Sequence, residues 1–90
     1  MLQGDFHSAT NYLEKAYQET PHHRGIVKSL GYTYAWLGNT DKALFFLSKI
    51  PEAKYELRIY VWWWGTQGRD DLSINASQQE ARLQAQTYQP

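Results

Sequence analysis

The 90-residue sequence contains no cysteine, has no net charge, and has no long apolar run. Without cysteine there is neither a disulfide framework nor a thiolate, and the chain suits reducing and oxidising compartments alike. Nine Lys and Arg side chains balance nine Asp and Glu side chains, so no overall field attracts nucleic acid or an anionic membrane. No apolar run approaches the roughly 20 residues of a membrane-spanning helix, and the first residues show no signal-peptide pattern. The compartment stays open, with the cytoplasm slightly favoured and the periplasm possible for part of an exported protein.

Residues that commonly carry catalysis or bind metals are sparse. His22 and His23 are adjacent and therefore point in different directions, and neither they nor His7 has a carboxylate or cysteine at ligand spacing. Asp70 and Asp71 stand at a predicted helix start, where acids cap free N–H groups and oppose the helix dipole. The sequence has no Gly-rich phosphate loop and no nucleophile elbow. We therefore expect no enzymatic activity, no cofactor and no metal site.

The most informative feature of the sequence is an internal repeat. Residues 4–21 resemble residues 38–51 at an offset of 34, and residues 21–38 correspond to residues 51–68 at an offset of 30. The four residues by which the offsets differ are about one helical turn. The sequence therefore predicts that one turn has been removed just before Pro51.

The apolar residues within each repeat have a helical period. Val27, Leu30 and Tyr34 recur at intervals of three and four, which is typical of one buried helix face. Asp5 and Asn39 each follow a turn glycine and can accept hydrogen bonds from the first free N–H groups of the next helix. The sequence predicts five helices, near residues 5–19, 24–37, 40–50, 53–66 and 70–86.

These residues also carry a family resemblance. The pattern resembles a tetratricopeptide repeat, and it consists of Val27-x2-Leu30-Gly31-x2-Tyr34, Gly38, Ala43-x3-Leu47 and Pro51. The resemblance implies an all-α fold in which antiparallel helix-turn-helix repeats stack as a short right-handed α-solenoid of about five helices. Gly31 and Ala43 are small where two helices must approach closely, and Leu30, Tyr34 and Leu47 are expected to fill the space around that contact.

The repeat pattern divides a single domain, residues 1–90, into four segments. We expect residues 1–21 to be the second helix of a truncated repeat and residues 22–51 to be a full repeat. Residues 52–68 are expected to be the first helix of a divergent repeat, and residues 69–90 a polar capping helix with its tail. The last helix has only a thin apolar stripe of Leu72, Ala76 and Leu83. Such a polar helix fits the solvated cap of a repeat array.

The first residues match the end of a repeat helix rather than its start. Met1 to Gln3 correspond to residues 35–37, so helix 5–19 is expected to expose its Phe6, Leu13 and Tyr17 side unless an upstream segment covers it. We expect the chain to be the C-terminal end of a longer repeat protein. The alternative is a small independent protein that covers this side of the helix by forming a homodimer.

The resemblance also implies where a partner binds, because in this family the first helix of each repeat lines a concave groove that holds a peptide or helix. Transferred position by position, the groove-facing residues are Lys28, Tyr32, Ala35 and Trp36, with Tyr55, Arg58, Trp62 and Thr66. The residues that we predict to bind the partner are Lys28, Tyr32, Trp36, Tyr55, Arg58 and Trp62.

Aromatic rings and cations favour a partner with apolar or aromatic residues and some acidic residues, rather than nucleic acid or a membrane. Lys28 matches one basic position of the family's carboxylate clamp, but Tyr32 replaces the asparagine of that clamp. The sequence therefore argues against a clamp of this type.

Three adjacent tryptophans cannot share one helix face, because successive side chains turn by about 100°. We expect Trp64 to be internal, Trp63 to seal the space that a further repeat would use, and Trp62 to face the groove. The main function predicted is a protein-interaction module. One alternative is a purely structural cap in which Tyr32, Trp36 and Trp62 only pack against neighbouring helices, and another is a small chaperone of a bacterial secretion system.

Overall fold

A computed structural model of the protein describes residues 5–87, with side chains described to residue 85. The helices are α1 (Phe6–Glu19), α2 (Arg24–Trp36), α3 (Thr40–Leu47), α4 (Ala53–Thr66) and α5 (Asp70–Thr87). The described residues contain no strand, so the all-helical prediction is confirmed. Four helices agree with the prediction to within one residue at each end, and α3 ends three residues earlier than expected.

Helix α3 ends early because the chain tightens into a turn after Leu47. The N–H of Lys49 donates to the carbonyl of Phe46 at 3.2 Å, and the N–H of Ile50 donates to the carbonyl of Leu47 at 2.9 Å. Bonds of this three-residue spacing satisfy carbonyls that the end of an α-helix leaves free. Helix α3 has 8 residues and α1 has 14; this difference of six residues exceeds the four-residue deletion because residues 48–50 form the tight turn instead of helix.

The two turns that follow α2 and α4 are structurally equivalent. Gly38 and Gly68 have positive φ angles of 81° and 74°, a conformation that only glycine adopts without steric cost. After each glycine, an N–H donates back to a helix carbonyl, from Asn39 to Tyr34 at 3.0 Å and from Arg69 to Trp64 at 2.9 Å. Every pair of equivalent atoms is separated by 30 residues, so the offset seen in the sequence is also a structural repeat.

The predicted helix caps are present at both sites. The Asp5 carboxylate accepts a hydrogen bond from the N–H of Ser8, and the Asn39 side-chain oxygen accepts one from the N–H of Lys42, each at 3.3 Å. These bonds satisfy donors that have no partner within the first turn of a helix. The sequence therefore identified the starts of α1 and α3 from local chemistry alone.

Helices α2 and α3 approach closely at the two small residues that the sequence indicated. Ala43 is fully buried, and a Cβ atom added to Gly31 would lie 2.5 Å from Cδ2 of Leu47. Leu30, Tyr34 and Leu47 are buried around this contact. The predicted role of the small residues as a close helix contact is confirmed.

The apolar side of α1 is partly covered by other helices of the chain, and is therefore less exposed than expected. Phe6, Leu13 and Tyr17 are each partly buried against the core, and the Tyr17 ring meets Phe46 of α3 edge-on at 5.2 Å between ring centroids. Part of each of these side chains stays accessible, so the homodimer alternative remains a prediction; among the described residues of α1, Tyr12 is the exposed large apolar side chain.

Helix α5 packs antiparallel to α4 and also reaches α2 and α3. Its predicted stripe of Leu72, Ala76 and Leu83 is buried, and polar side chains on the same helix bond to the other repeat. The Asn75 amide donates to the carbonyl of Trp36 at 2.7 Å, and the Gln79 amide donates to the carbonyl of Thr40 at 3.3 Å. Polar residues of this helix therefore anchor it to α2 and α3.

Candidate functional site

Four aromatic side chains fill the space between α2 and α4. Tyr32 and Trp36 of α2 are stacked, with centroids 5.6 Å apart and planes 9° apart. Tyr60 of α4 meets both rings edge-on, at 5.3 and 4.9 Å, and Trp64 meets Trp36 edge-on at 5.6 Å. Trp64 is thus partly buried against the core, on the side of α4 where an internal position was predicted. Tyr32 and Trp36 are each only 8% exposed, so both pack against neighbouring helices, as the structural alternative expects.

Charged side chains continue the contact between α2 and α4 beyond the aromatic rings. The Lys28 ammonium lies 3.2 Å from Glu52 and 3.0 Å from Glu56, and Arg24 also pairs with Glu52. The Tyr32 hydroxyl donates to Glu56 at 2.5 Å. Lys28, which was predicted to bind a partner, and its neighbour Arg24 are therefore already paired with carboxylates at the start of α4, Glu52 at its N-cap and Glu56 in its first turn.

These contacts shift the pKa values of the groups involved. Hydrogen bonding to Glu56 is the main reason that the pKa of Lys28 lies above its ordinary value of 10.5. Burial, followed by the bond to Glu56, raises the pKa of the Tyr32 phenol well above 10. Hydrogen bonding to Arg24 lowers the pKa of Glu52 to about 2. At neutral pH the network therefore holds charged Lys28 and Glu52 beside a neutral Tyr32.

A groove of about 440 Å³ runs along this contact and opens to solvent. We call it the α2–α4 groove, and its lining residues are Lys28, Ser29, Tyr32, Glu56, Ile59 and Tyr60. The polar members carry the ion pairs described above, whereas Ile59 is 63% exposed. The groove therefore combines a preformed polar rim with an uncovered apolar wall.

The predicted partner-binding residues fall on two different surfaces. Lys28 and Tyr32 line the α2–α4 groove, and Trp36 is buried beside it. The remaining three, Tyr55, Arg58 and Trp62, lie on the exposed side of α4 with Thr66, and we call these four residues the outer face of α4. Trp62 follows Tyr60 by two residues, or about 200° around the helix, and so points away from α2. The structure does not bring the six residues together in one groove.

Arg58 is largely exposed but not free. Its Nε donates to Glu80 of α5 at 3.0 Å, and 75% of the side chain remains accessible. Trp62 is 67% exposed, and Trp63 is 44% exposed. The partner-binding roles of Tyr55, Arg58 and Trp62 remain predictions, because their exposure shows only that a partner could reach them.

Four residues that line the groove were not among the predicted partner-binding residues, namely Ser29, Glu56, Ile59 and Tyr60, and Ile59 is the one with a large exposed apolar side chain. Ile59 was not among the residues predicted from the family's groove positions, and its equivalent in α2 is the small polar Ser29. Its spacing was nevertheless informative, since Ile59 and Trp63 are four residues apart and so lie one turn apart on the same side of a helix. An exposed apolar pair of this kind could have been found from the sequence of α4 alone.

His23 and Asp71, two of the residues considered as candidate ligands, have local structural contacts. The His23 Nδ1 accepts a hydrogen bond from the N–H of Ile26 at 3.3 Å and so caps α2, while Asp71 pairs with Arg69 at 3.1 Å in the first turn of α5. Within residues 5–87, no cluster of three or more His, Asp or Glu side chains could hold a metal ion. In the same part of the chain, no helix has the length and apolarity needed to cross a membrane.

The pair of Arg24 with Glu52 predicts a specific acid sensitivity. Because the pKa of Glu52 is lowered from 4.5 to about 2 in the folded chain, its contribution to stability is present above pH 4.5 and is lost as the pH falls toward 2. We expect Glu52→Gln to lower the thermal midpoint at pH 7 and to lower it progressively less below pH 4.5. Circular dichroism melts across this range measure the difference.

Arg24→Gln tests the same explanation from the other partner. It removes the guanidinium that lowers the pKa of Glu52, so its destabilising effect should shrink over the same pH range. A Glu52→Gln difference that is as large at pH 3 as at pH 7 would contradict this assignment.

Comparison with known proteins places the repeats in a family. A family model described as tetratricopeptide repeat matches residues 1–61, which include α1 to α3 and most of α4. Searches of curated proteins and of solved structures returned no significant match. The matched segment is more than half of the chain and contains the close Gly31 contact and the Gly38 turn. The chain belongs to the tetratricopeptide-repeat family.

Proposed function

We propose that this chain is a protein-interaction module that holds a segment of a partner protein in the α2–α4 groove. Membership of the tetratricopeptide-repeat family supports a protein–protein role in general. The observation that carries the specific proposal is the exposed Ile59 beside a groove whose rim is already organised by Lys28 and Glu56. Large exposed apolar side chains beside a concave surface are typical of interaction sites.

The groove has the features of a preformed site. Its lining includes Tyr32 and Tyr60, whose ring centroids are 5.3 Å apart, and Lys28, which pairs with two glutamates. A partner would therefore meet side chains whose conformations are already restrained. Such preorganisation improves affinity, because less conformational entropy is lost on binding.

The chemistry of the groove favours a partner segment with one aliphatic or aromatic anchor. Ile59 and, one turn later, Trp63 supply uncovered apolar surface, and the Tyr60 ring borders the same groove. Lys28 is shared between two carboxylates, so an acidic partner residue would have to replace one of them. We therefore assign most of the affinity to the apolar anchor and a smaller part to charge.

Selection from a random peptide display library tests this proposal. The full chain is immobilised, and the selected peptides are measured against the wild type, Ile59→Asp and Ile74→Asp. We expect the peptides to share an aliphatic or aromatic anchor and to bind Ile59→Asp at least about tenfold more weakly, since a buried charge replaces an apolar contact.

Ile74 of α5 provides the matched control, because it is also an exposed isoleucine on a helix but does not line the groove. Its substitution should change affinity by less than about twofold, and far-UV circular dichroism should show the same helix content for both variants. Peptides that lose affinity equally to both variants, or to neither, would count against the groove as the binding site.

A further inference from the structure

The 30-residue repeat relates the outer face of α4 to a face of α2 that is already covered. The positive φ angle and the hydrogen bond of the first turn recur in the second at this offset, so positions in the two helices can be paired. Three outer-face residues, Arg58, Trp62 and Thr66, correspond to Lys28, Tyr32 and Trp36. In α2 the three residues pack against α4, whereas their equivalents in α4 are exposed. The outer face of α4 therefore has the position of a helix-packing surface.

Helix α4, which covers this face of α2, shows which side chains pack on such a surface. Three pairs of side chains make this contact. The Lys28 ammonium lies 3.0 Å from a carboxylate oxygen of Glu56. The ring centroids of Tyr32 and Tyr60 are 5.3 Å apart, and those of Trp36 and Trp64 are 5.6 Å apart. Each contact joins residues 28 positions apart, so α2 and α4 run parallel and in register. The covering helix thus presents an acid, an aromatic and a second aromatic at i, i+4 and i+8, which share one helix face.

We propose that the outer face of α4 binds an amphipathic helix of another protein, lying parallel to α4 as α4 lies on α2. The helix carries an acidic residue and two aromatic residues at i, i+4 and i+8. The acid pairs with Arg58, the first aromatic packs on Trp62, and the second packs over Thr66. Because Thr66 is much smaller than Trp36, its equivalent in α2, the outer face leaves room for a large ring there.

The charges of the outer face complement such a helix. Arg58 uses its Nε for Glu80, and its two terminal nitrogens make no hydrogen bond with the described residues. Lys54 lies nearby on the same half of α4, with its ammonium 5.4 Å from the Tyr55 ring centroid. An acid on the docking helix would meet two cations at this end and aromatic surface toward Trp62, where tryptophan and arginine commonly dominate binding energy.

The occupant is a different protein rather than a second copy of this chain. Within the whole sequence, an acidic residue followed by aromatic residues at i+4 and i+8 occurs once, as Glu56, Tyr60 and Trp64. Those three side chains already cover α2, so a second copy could present them only by opening its own α2–α4 contact. The groove and the outer face are separate surfaces, and this inference does not rest on the proposed groove function.

A designed helix tests the inference directly. The probe is a fluorescein-labelled, alanine- and glutamine-rich peptide with Glu, Tyr and Trp at i, i+4 and i+8, titrated with the full chain by fluorescence anisotropy. We expect binding that weakens at least about tenfold with Trp62→Ala and with Arg58→Glu. A probe with Lys in place of Glu should recover most of its affinity for Arg58→Glu, because the charge pair is restored with opposite signs.

Tyr12→Ala on α1 is the matched control, since Tyr12 is also a highly exposed aromatic residue, and it should leave the affinity unchanged. Binding that is insensitive to Trp62→Ala or Arg58→Glu would overturn the inference. Binding lost in Ile59→Asp but retained in Arg58→Glu would place the probe in the α2–α4 groove and would also overturn it. A homodimer, detected by sedimentation and dissociated by Trp62→Ala, would assign the face to a second copy instead.

Discussion

Replacing Leu57 by alanine is expected to lower the free energy of unfolding by about 2–5 kcal/mol. Leu57 is the central apolar residue of α4 and is fully buried. The substitution removes apolar surface from the core and leaves a cavity that surrounding helices fill only in part. Because a small domain has a total stability of only about 5–15 kcal/mol, this single change removes a large fraction of it. Urea denaturation followed by far-UV circular dichroism measures the loss.

Ile59→Ala is the matched control for that experiment. Ile59 lies on the same helix two residues later, but its side chain is mostly exposed, so we expect a change within about 0.5 kcal/mol. The comparison also shows whether variants of the groove wall leave the fold intact. If Leu57→Ala cost no more than Ile59→Ala, α4 would not be packed as described.

Gly31→Ala is expected to destabilise the chain although alanine is the better helix former. The added Cβ would lie 2.5 Å from Cδ2 and 2.7 Å from Cγ of Leu47, and 3.2 Å from Cβ of Phe46. Leu47 is buried and cannot move without displacing other core side chains. Overpacking of this kind costs about 1–3 kcal/mol, against a gain of at most about 1 kcal/mol from helix propensity. We expect a net loss of about 1–2 kcal/mol.

Gly65→Ala provides the opposite case within the same chain. Gly65 is also a helical glycine, but the only nearby atom that its Cβ would meet is Oγ of Ser73 at 3.9 Å, an ordinary contact. Helix propensity should then dominate and raise stability by about 0.5–1 kcal/mol. Opposite signs in urea midpoints are the expected result. Equal signs would show that the contact of α2 with α3 is looser than the Gly31 geometry requires.

The two proposed surfaces suit different kinds of partner segment. The α2–α4 groove offers one exposed aliphatic wall beside paired charges, which suits a peptide anchor. The outer face of α4 offers Trp62 and Arg58 in the arrangement that α2 uses to pack against a helix. Selected peptides and the designed helix respond to different substitutions, Ile59→Asp and Arg58→Glu, so the two proposals can fail independently.

The sequence by itself determined the helices, their caps and their turns. Each of these depends on residues close in the chain: Asp5 and Asn39 bond to N–H groups three residues later, and Gly38 and Gly68 adopt positive φ. The 30-residue offset and the close contact at Gly31 could also be predicted from the sequence, because small residues and periodic apolar residues recur at defined spacings.

Only the tertiary structure decided which neighbour covers each helix face. Periodicity shows that Tyr32 and Trp36 share a side of α2, but their burial depends on Tyr60 and Trp64, which lie 28 residues away. The same reason explains why the apolar side of α1 is partly covered and why Trp62 lies apart from the groove. Helical spacing is a local property, whereas exposure results from the packing of segments distant in sequence.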